Sequence, residues 1–246
     1  MKKLPFFFLT LCLSTFISCQ TLLEVANEVL EENAEPTNNE IISGLKEALV
    51  KGAGFATSTL SKEGGYLNDP LVKIPFPQEA EFAAKTLRDL GLGQLVDNFE
   101  ARLNEGAEKG AKMALPIFKD AITSMSFADA KNILLGPENA ATEYFKGKTS
   151  AALYTTYSPH VKESLDKVNA TKLWSDITTR YNAIPFTGKK VETDLVKYTT
   201  NRALDGLFLK VEDEEKKIRE NPIARTTELL KKVFGYATSQ KTSSGQ

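Results

Sequence analysis

From Thr37 to Gly235 the apolar residues of this chain recur every three or four positions, and nowhere do they alternate with polar residues over the length of a strand. A period near 3.6 lines one face of a helix, whereas a period of two lines one face of a strand. The pattern therefore predicts an all-α fold, an irregular bundle of about ten helices with no significant sheet. No internal repeat is apparent, which argues against a solenoid.

Glycine, proline and capping residues divide the pattern. Thr37-Asn38-Asn39-Glu40 reads as a capping box, with Thr37 accepting from the N3 amide and Glu40 reaching back. Ile41, Leu45, Ala48, Leu49, Ala53, Ala56 and Leu60 then share a face, and Gly64-Gly65 closes the helix. Gly52 and Gly54 inside it suggest close helix packing. Tyr66 to Pro77 carries Pro70, Pro75 and Pro77 and is expected to be an extended connection. A helix from Gln78 to Leu90 stops at Gly91. Leu92 to Met125 is one long helical pattern in which Pro116 should kink or split the helix. Gly106, Ala107, Gly110, Ala111 and Ala114 form a small-residue strip that would let a neighbour approach closely.

Ser124 to Lys148 reads as two short helices broken at Gly136-Pro137. Ser126 and Asp129 would cap the first, and Pro137 would start the second, where its missing N–H costs nothing. Further helices are expected over Thr149–Tyr157 and Ser158–Val168, with Ser158-Pro159 as cap and first residue, and over Thr171–Ile184. Thr193 would cap a long helix that runs through Val211 into the charged run Glu212–Glu220. Asn221-Pro222 would start the last helix, and residues 237–246 read as a disordered tail.

The N-terminus carries a different signal. Lys2 and Lys3 precede an apolar run, Leu4 to Ile17, which is shorter than the roughly 20 residues needed to span a bilayer. The run ends in Thr15-Phe16-Ile17-Ser18-Cys19, which resembles a bacterial lipobox. The expectation is a leader over residues 1–18, acyl chains on Cys19, an acidic tether over 19–36 and a helical domain over 37–236, either single or as two intimately packed halves. Cys12 would leave with the leader, so the mature domain would hold together without a disulfide. The expected partner of Cys19 is the membrane. No aspartate follows Cys19, which favours the periplasmic leaflet of a Gram-negative outer membrane. With 31 basic against 32 acidic residues there is no basic excess for a nucleic acid.

Little in the chain carries catalysis. His160 is the only histidine, and its place in a helical first turn suits a surface residue. A zinc site needs clustered Cys, His and carboxylate ligands, and no glycine-rich phosphate loop follows a strand. No catalytic residue, metal or cofactor is expected. Asn201, Arg202 and Asp205 lie among apolar positions of one helix, which suggests a buried polar cluster that positions helices. Arg219 and Arg225 flank the Asn221-Pro222 break, where they would bind an anion near a helix start or pair with Glu215 and Glu228. Any groove beside the central hairpin would present Glu138, Asn139 and Thr142. These features favour a non-catalytic binding or scaffold module, whose partner is another envelope protein or an apolar small molecule held between helices. The alternative is a carboxylate-based hydrolase acting on an envelope polymer. Oligomeric state is left open.

Several stretches together resemble one bacterial family: GLKEAL at Gly44–Leu49, NFEARLNEGAE at Asn98–Glu108, AITSMSFADAKNILLGPENAATEYF at Ala121–Phe145, ALDGLF at Ala203–Phe208 and EEKKIRENPIARTTELLKKVFG at Glu214–Gly235. The chain is similar to domain of unknown function 4197. Where that family often has Met-Asn-Arg-Ala after its Phe-Glu pair, this chain has Leu103-Asn104-Glu105-Gly106. The resemblance implies a secreted or lipid-anchored all-helical protein, and it supplies no catalytic residue.

Overall fold

The computed structural model describes residues 35–77, 81–172, 174, 175, 179 and 194–244. The chain divides into two compact units, Met1–Thr37 and Asn38–Gln246, and the helices belong to the second. They are α1 (Asn38–Leu60), α2 (Glu81–Asp89), α3 (Gly93–Ala111), α4 (Ala114–Thr123), α5 (Phe127–Leu135), α6 (Ala140–Asp166), α7 (Leu195–Glu220) and α8 (Glu228–Ser244), with a 3-10 turn at Pro222–Ala224 before the last. Among the described residues the fold is all-helical, with eight bounded α-helices and further helical residues at 170–172, 174 and 175, where about ten helices were expected.

Part of that difference lies in α6. Three expected segments are one continuous helix, and Pro159 sits in its interior. An interior proline costs about 3 kcal/mol locally. Here Leu153, Tyr157, Val161 and Leu165 form one uninterrupted buried face, and its burial outweighs the local break. The Ser158 hydroxyl donates to the Tyr154 carbonyl at 2.9 Å beside the site of the missing bond.

Other boundaries also shift. The Leu92–Met125 pattern splits at Lys112-Met113, and Pro116 becomes the third residue of α4, where it forfeits no helical bond. Pro137 lies in the turn before α6, which starts at Ala140. Asp194 caps α7, its side chain accepting from the Lys197 amide; Thr193 lies outside the described residues. Asn221-Pro222 opens only the 3-10 turn. α8 starts at Glu228, and the Thr227 hydroxyl accepts from the Leu230 amide at 3.3 Å. The segment read as a disordered tail continues α8 to Ser244, with Ala237 buried beneath it. The Ser126–Asp129 capping box is present in both directions. Residues 170–172, 174 and 175 are helical; most of the remainder of the expected Thr171–Ile184 helix lies outside the described residues.

α7 packs between α1 and α6, and α6 packs in turn along α3. The small-residue strip on α3 makes that second contact close. A Cβ on Gly106 would lie 2.8 Å from the Val161 Cα, and one on Gly110 2.4 Å from the Tyr157 ring. Gly44 on α1 does the same for α8, with a built Cβ 2.8 Å from Val233. Gly52 and Gly54 do not mark close crossings: a Cβ at Gly52 would meet Glu214 at an ordinary 3.5 Å, and Gly54 has open space.

The proline-rich connection crosses the molecule as a strap between α3 and α7. Three α3 side chains at four-residue spacing hold it. Glu108 Oε1 accepts from the Tyr66 amide at 3.2 Å. Asn104 accepts from the Ile74 amide and donates to the Ile74 carbonyl, both at 2.9 Å. Glu100 accepts from the Phe76 amide at 3.3 Å and pairs with Lys73 at 2.9 Å. From α7, the Ala203 carbonyl accepts from the Tyr66 hydroxyl at 2.8 Å, and Lys210 pairs with Asp69 at 2.7 Å. Gly206 makes room, since a Cβ there would meet the Tyr66 ring and Val72 at 3.0 Å. Phe76 then joins Phe99 and Trp174 in an aromatic cluster, with centroids 4.8 and 6.0 Å from its own.

Candidate functional site

A densely connected polar node lies where α5 ends and α6 begins. A helix leaves its last carbonyls and first amides without internal partners. Both ends flank the Gly136-Pro137 break, and α7 supplies a group for each. Glu215 accepts from the Ala141 and Thr142 amides and from the Thr142 hydroxyl, each at 2.9 Å. Arg219, one turn on, donates to the Ile133 carbonyl at 2.7 Å and the Leu134 carbonyl at 3.1 Å. The two also pair with each other, at 3.0 Å from Nε and 2.8 Å from the second guanidinium nitrogen. An anion thus faces a helix N-terminus and a cation faces a C-terminus, the favourable sense for both dipoles.

Glu215 and Arg219 border an apolar recess lined also by Leu49, Ala141, Phe145 and Phe234. Its free volume is about 20 Å3, room for roughly one water molecule and too small for an apolar ligand. Every polar group at its edge is spent on the helix ends. This node therefore positions helices.

Arg225 plays the same part at the end of α7. Its guanidinium donates to the Ile218 carbonyl at 3.1 Å and the Arg219 carbonyl at 2.6 Å, beneath the Phe234 ring. Burial lowers its pKa. Arg219 pairs with Glu215 as one expectation had it, whereas Glu228 pairs with Lys231. Of the groups expected beside the hairpin, Thr142 is buried on Glu215, Asn139 is half-buried and Glu138 is exposed. Asn201, Arg202 and Asp205 stand in solvent rather than among the apolar positions of α7, with Arg202 and Asp205 only 3.9 Å apart as a loose surface pair. Thr142 and Arg219 thus belong to the node and Arg225 to the end of α7, whereas the Asn201 group takes part in neither. Cys19 lies outside the described residues.

Glu108, which holds the strap from α3, is the other buried carboxylate among the described residues. Burial raises its pKa, and amide bonds from Tyr66, Leu67 and Gly64 oppose that rise. Its Oε1 accepts from the Tyr66 and Leu67 amides, at 3.2 and 3.5 Å. Among the described residues, no group of three or more His, Cys, Asp or Glu side chains is placed to hold a metal ion, and no helix is long and apolar enough to cross a membrane.

Among the described residues, a groove of about 640 Å3 between α1, the end of α4 and the start of α8 is open to a ligand. Lys46, Lys51, Thr123, Thr226 and Thr227 line it, with Glu47 as its acid. Lys46 donates to the Thr123 carbonyl at 2.9 Å and Lys51 to the Thr226 hydroxyl. Glu47 is engaged by the Thr227 hydroxyl at 3.0 Å. Among the described residues neither lysine has a carboxylate partner, so the groove presents net positive charge. Sequence reasoning missed it because its walls come from segments about 75 and 180 positions apart, as the Lys46–Thr123 and Glu47–Thr227 bonds show.

No curated protein and no solved structure matches the chain. The profile of one family matches residues 35–235, and on that span the chain belongs to the DUF4197 family of proteins of unknown function.

Proposed function

We propose that this protein is a lipid-anchored module of the Gram-negative cell envelope that binds a partner without catalysis, held by acyl chains on Cys19 at the periplasmic face of the outer membrane. The observation that carries the binding reading is the open groove, whose two lysines have backbone and hydroxyl partners but no carboxylate. An acidic segment of another envelope protein fits that chemistry. The small apolar recess beside Glu215 weighs against an apolar small molecule as the ligand. The hydrolase alternative gains no support, because both buried carboxylates among the described residues are bound to backbone amides.

Two measurements test this. The intact mass of the protein purified from membranes should show a mature chain that starts at Cys19 and carries acyl groups; a free thiol there overturns the anchor. Affinity capture with the intact lipoprotein should enrich the same partner repeatedly, and Lys46→Glu with Lys51→Glu should abolish that enrichment while leaving the fold intact. Enrichment that is unaffected by the charge reversal overturns the groove as the binding surface.

A further inference from the structure

The turn between α2 and α3 concentrates exposed apolar surface. Leu90, Leu92 and Leu95 are 69%, 45% and 57% exposed; the first two flank Gly91, which turns the chain at φ +77°, and Leu95 lies in the first turn of α3. Other large exposed apolar side chains, such as Leu71 and Ile223, stand singly, and Phe55 lies under the Lys217 ammonium, 5.2 Å from its ring centre. Single exposed apolar residues are ordinary, whereas several close together mark a candidate contact surface.

The chemistry around the turn narrows that partner. Lys85 pairs with Asp89 at 2.6 Å and Arg88 with Asp97 at 2.7 Å, so the collar behind the leucines is charge-balanced. The turn itself, Leu90-Gly91-Leu92-Gly93, carries no aromatic or arginine anchor of the kind that dominates protein interfaces. Its exposed leucine surface is on the order of 300 Å2, well below the roughly 800 Å2 per partner of a stable protein interface. A hydrocarbon phase needs neither complementary shape nor a large patch. It accepts a few apolar side chains weakly and reversibly, which becomes stable only alongside a second attachment. Acyl chains on Cys19 would be that attachment. The chain between Cys19 and Asn38, fully extended, reaches about 60 Å, so the anchor would leave the domain free to present any face to the bilayer.

We propose that Leu90, Leu92 and Leu95 dip into the surface of a lipid bilayer and set the orientation in which the anchored domain rests on it. This inference rests on the lipid-anchor reading.

The test uses the full-length lipoprotein reconstituted into phosphatidylcholine vesicles, with or without bromine on the acyl chains. Leu92→Trp places a reporter in the turn, and Ile223→Trp places one at another highly exposed apolar position. The bromolipid should quench the added fluorescence of Leu92→Trp by at least about twofold, while that of Ile223→Trp changes little. Salt should not reduce the quenching, because the collar is balanced. Equal quenching of both reporters, or none in either, overturns the proposal. So does a dimer in sizing experiments that Leu90→Ser with Leu95→Ser abolishes, since it would assign the turn to a second copy of the chain. The mass at Cys19, measured on the same sample, separates the two readings. If Cys19 is unacylated, the anchor reading fails alone, and the turn is judged by the same quenching with vesicles in excess: selective quenching at position 92 supports it and its absence overturns it.

Discussion

Glu215 and Arg219 meet at 2.8 Å one turn apart on α7, and between them they terminate two other helices. Their side chains are only 6% and 8% exposed. Removing one partner of a buried pair strands the other charge, which typically costs about 3–5 kcal/mol. Glu215→Ala and Arg219→Ala should each lower stability by an amount of that order. The double substitution should cost less than the sum of the two, and urea unfolding of the four proteins in a double-mutant cycle measures the difference.

The α3–α6 crossing sets up an opposed pair of glycine substitutions. Gly106→Ala would push a methyl against the Val161 backbone and should destabilise the protein by roughly 1–3 kcal/mol through overpacking. Gly54→Ala, at a helical glycine with open space around it, should stabilise it by roughly 0.5–1 kcal/mol. Thermal midpoints that move in opposite directions would bear this out.

Asn104 is the middle rung of the strap's attachment. With Asn104→Ala the Ile74 amide and carbonyl lose their side-chain partner, at a cost of about 1–3 kcal/mol for each buried group left unsatisfied. Amide exchange at Ile74 should accelerate more than exchange in α7, and limited proteolysis should cut first within Tyr66–Pro77.

Glu108 gives stability a pH dependence of defined sign. Its folded pKa is raised above the ordinary 4.5, chiefly by burial, so folding favours the protonated form. Its contribution is fully present below the unfolded value and is lost as pH rises through the folded value. Relative to Glu108→Gln, the natural protein should therefore be more stable at about pH 4 than at about pH 7. Urea midpoints of both proteins at each pH check this, and a constant difference between them would contradict it.

Local signals in the sequence marked much of the fold. The capping box at Ser126 and Asp129 fixes the start of α5 from adjacent residues alone. The Gly106/Gly110 strip foretold a close crossing, although not which helix would make it. The proline at 159 misled because its local cost is real, and only the buried face of the assembled α6 reverses it. Within the charged run Glu212–Glu220, Glu215 and Ile218 are buried as the continuation of the α7 stripe. That Glu215 stands where the period calls for an apolar residue was a usable signal. Glu100, Asn104 and Glu108 gave a similar one, as polar residues at four-residue spacing beside the buried Leu103 and Ala107. The groove at Lys46 and Lys51 left no such trace, because distant segments complete it.

α1 is the first helix of the domain, yet much of its buried face is covered by α7 and by α8, the last, with Lys232 clasping Glu40 at 2.7 Å from 192 positions away. A polypeptide made or exported from its N-terminus therefore cannot complete its first helix's packing until its final segment arrives. The apolar face of Ile41, Leu45 and Leu49 stays incompletely covered in every shorter intermediate, which is when such surfaces aggregate. Premature termination anywhere before α8 should yield insoluble fragments rather than a smaller working domain, and a holding chaperone would find its natural target in α1.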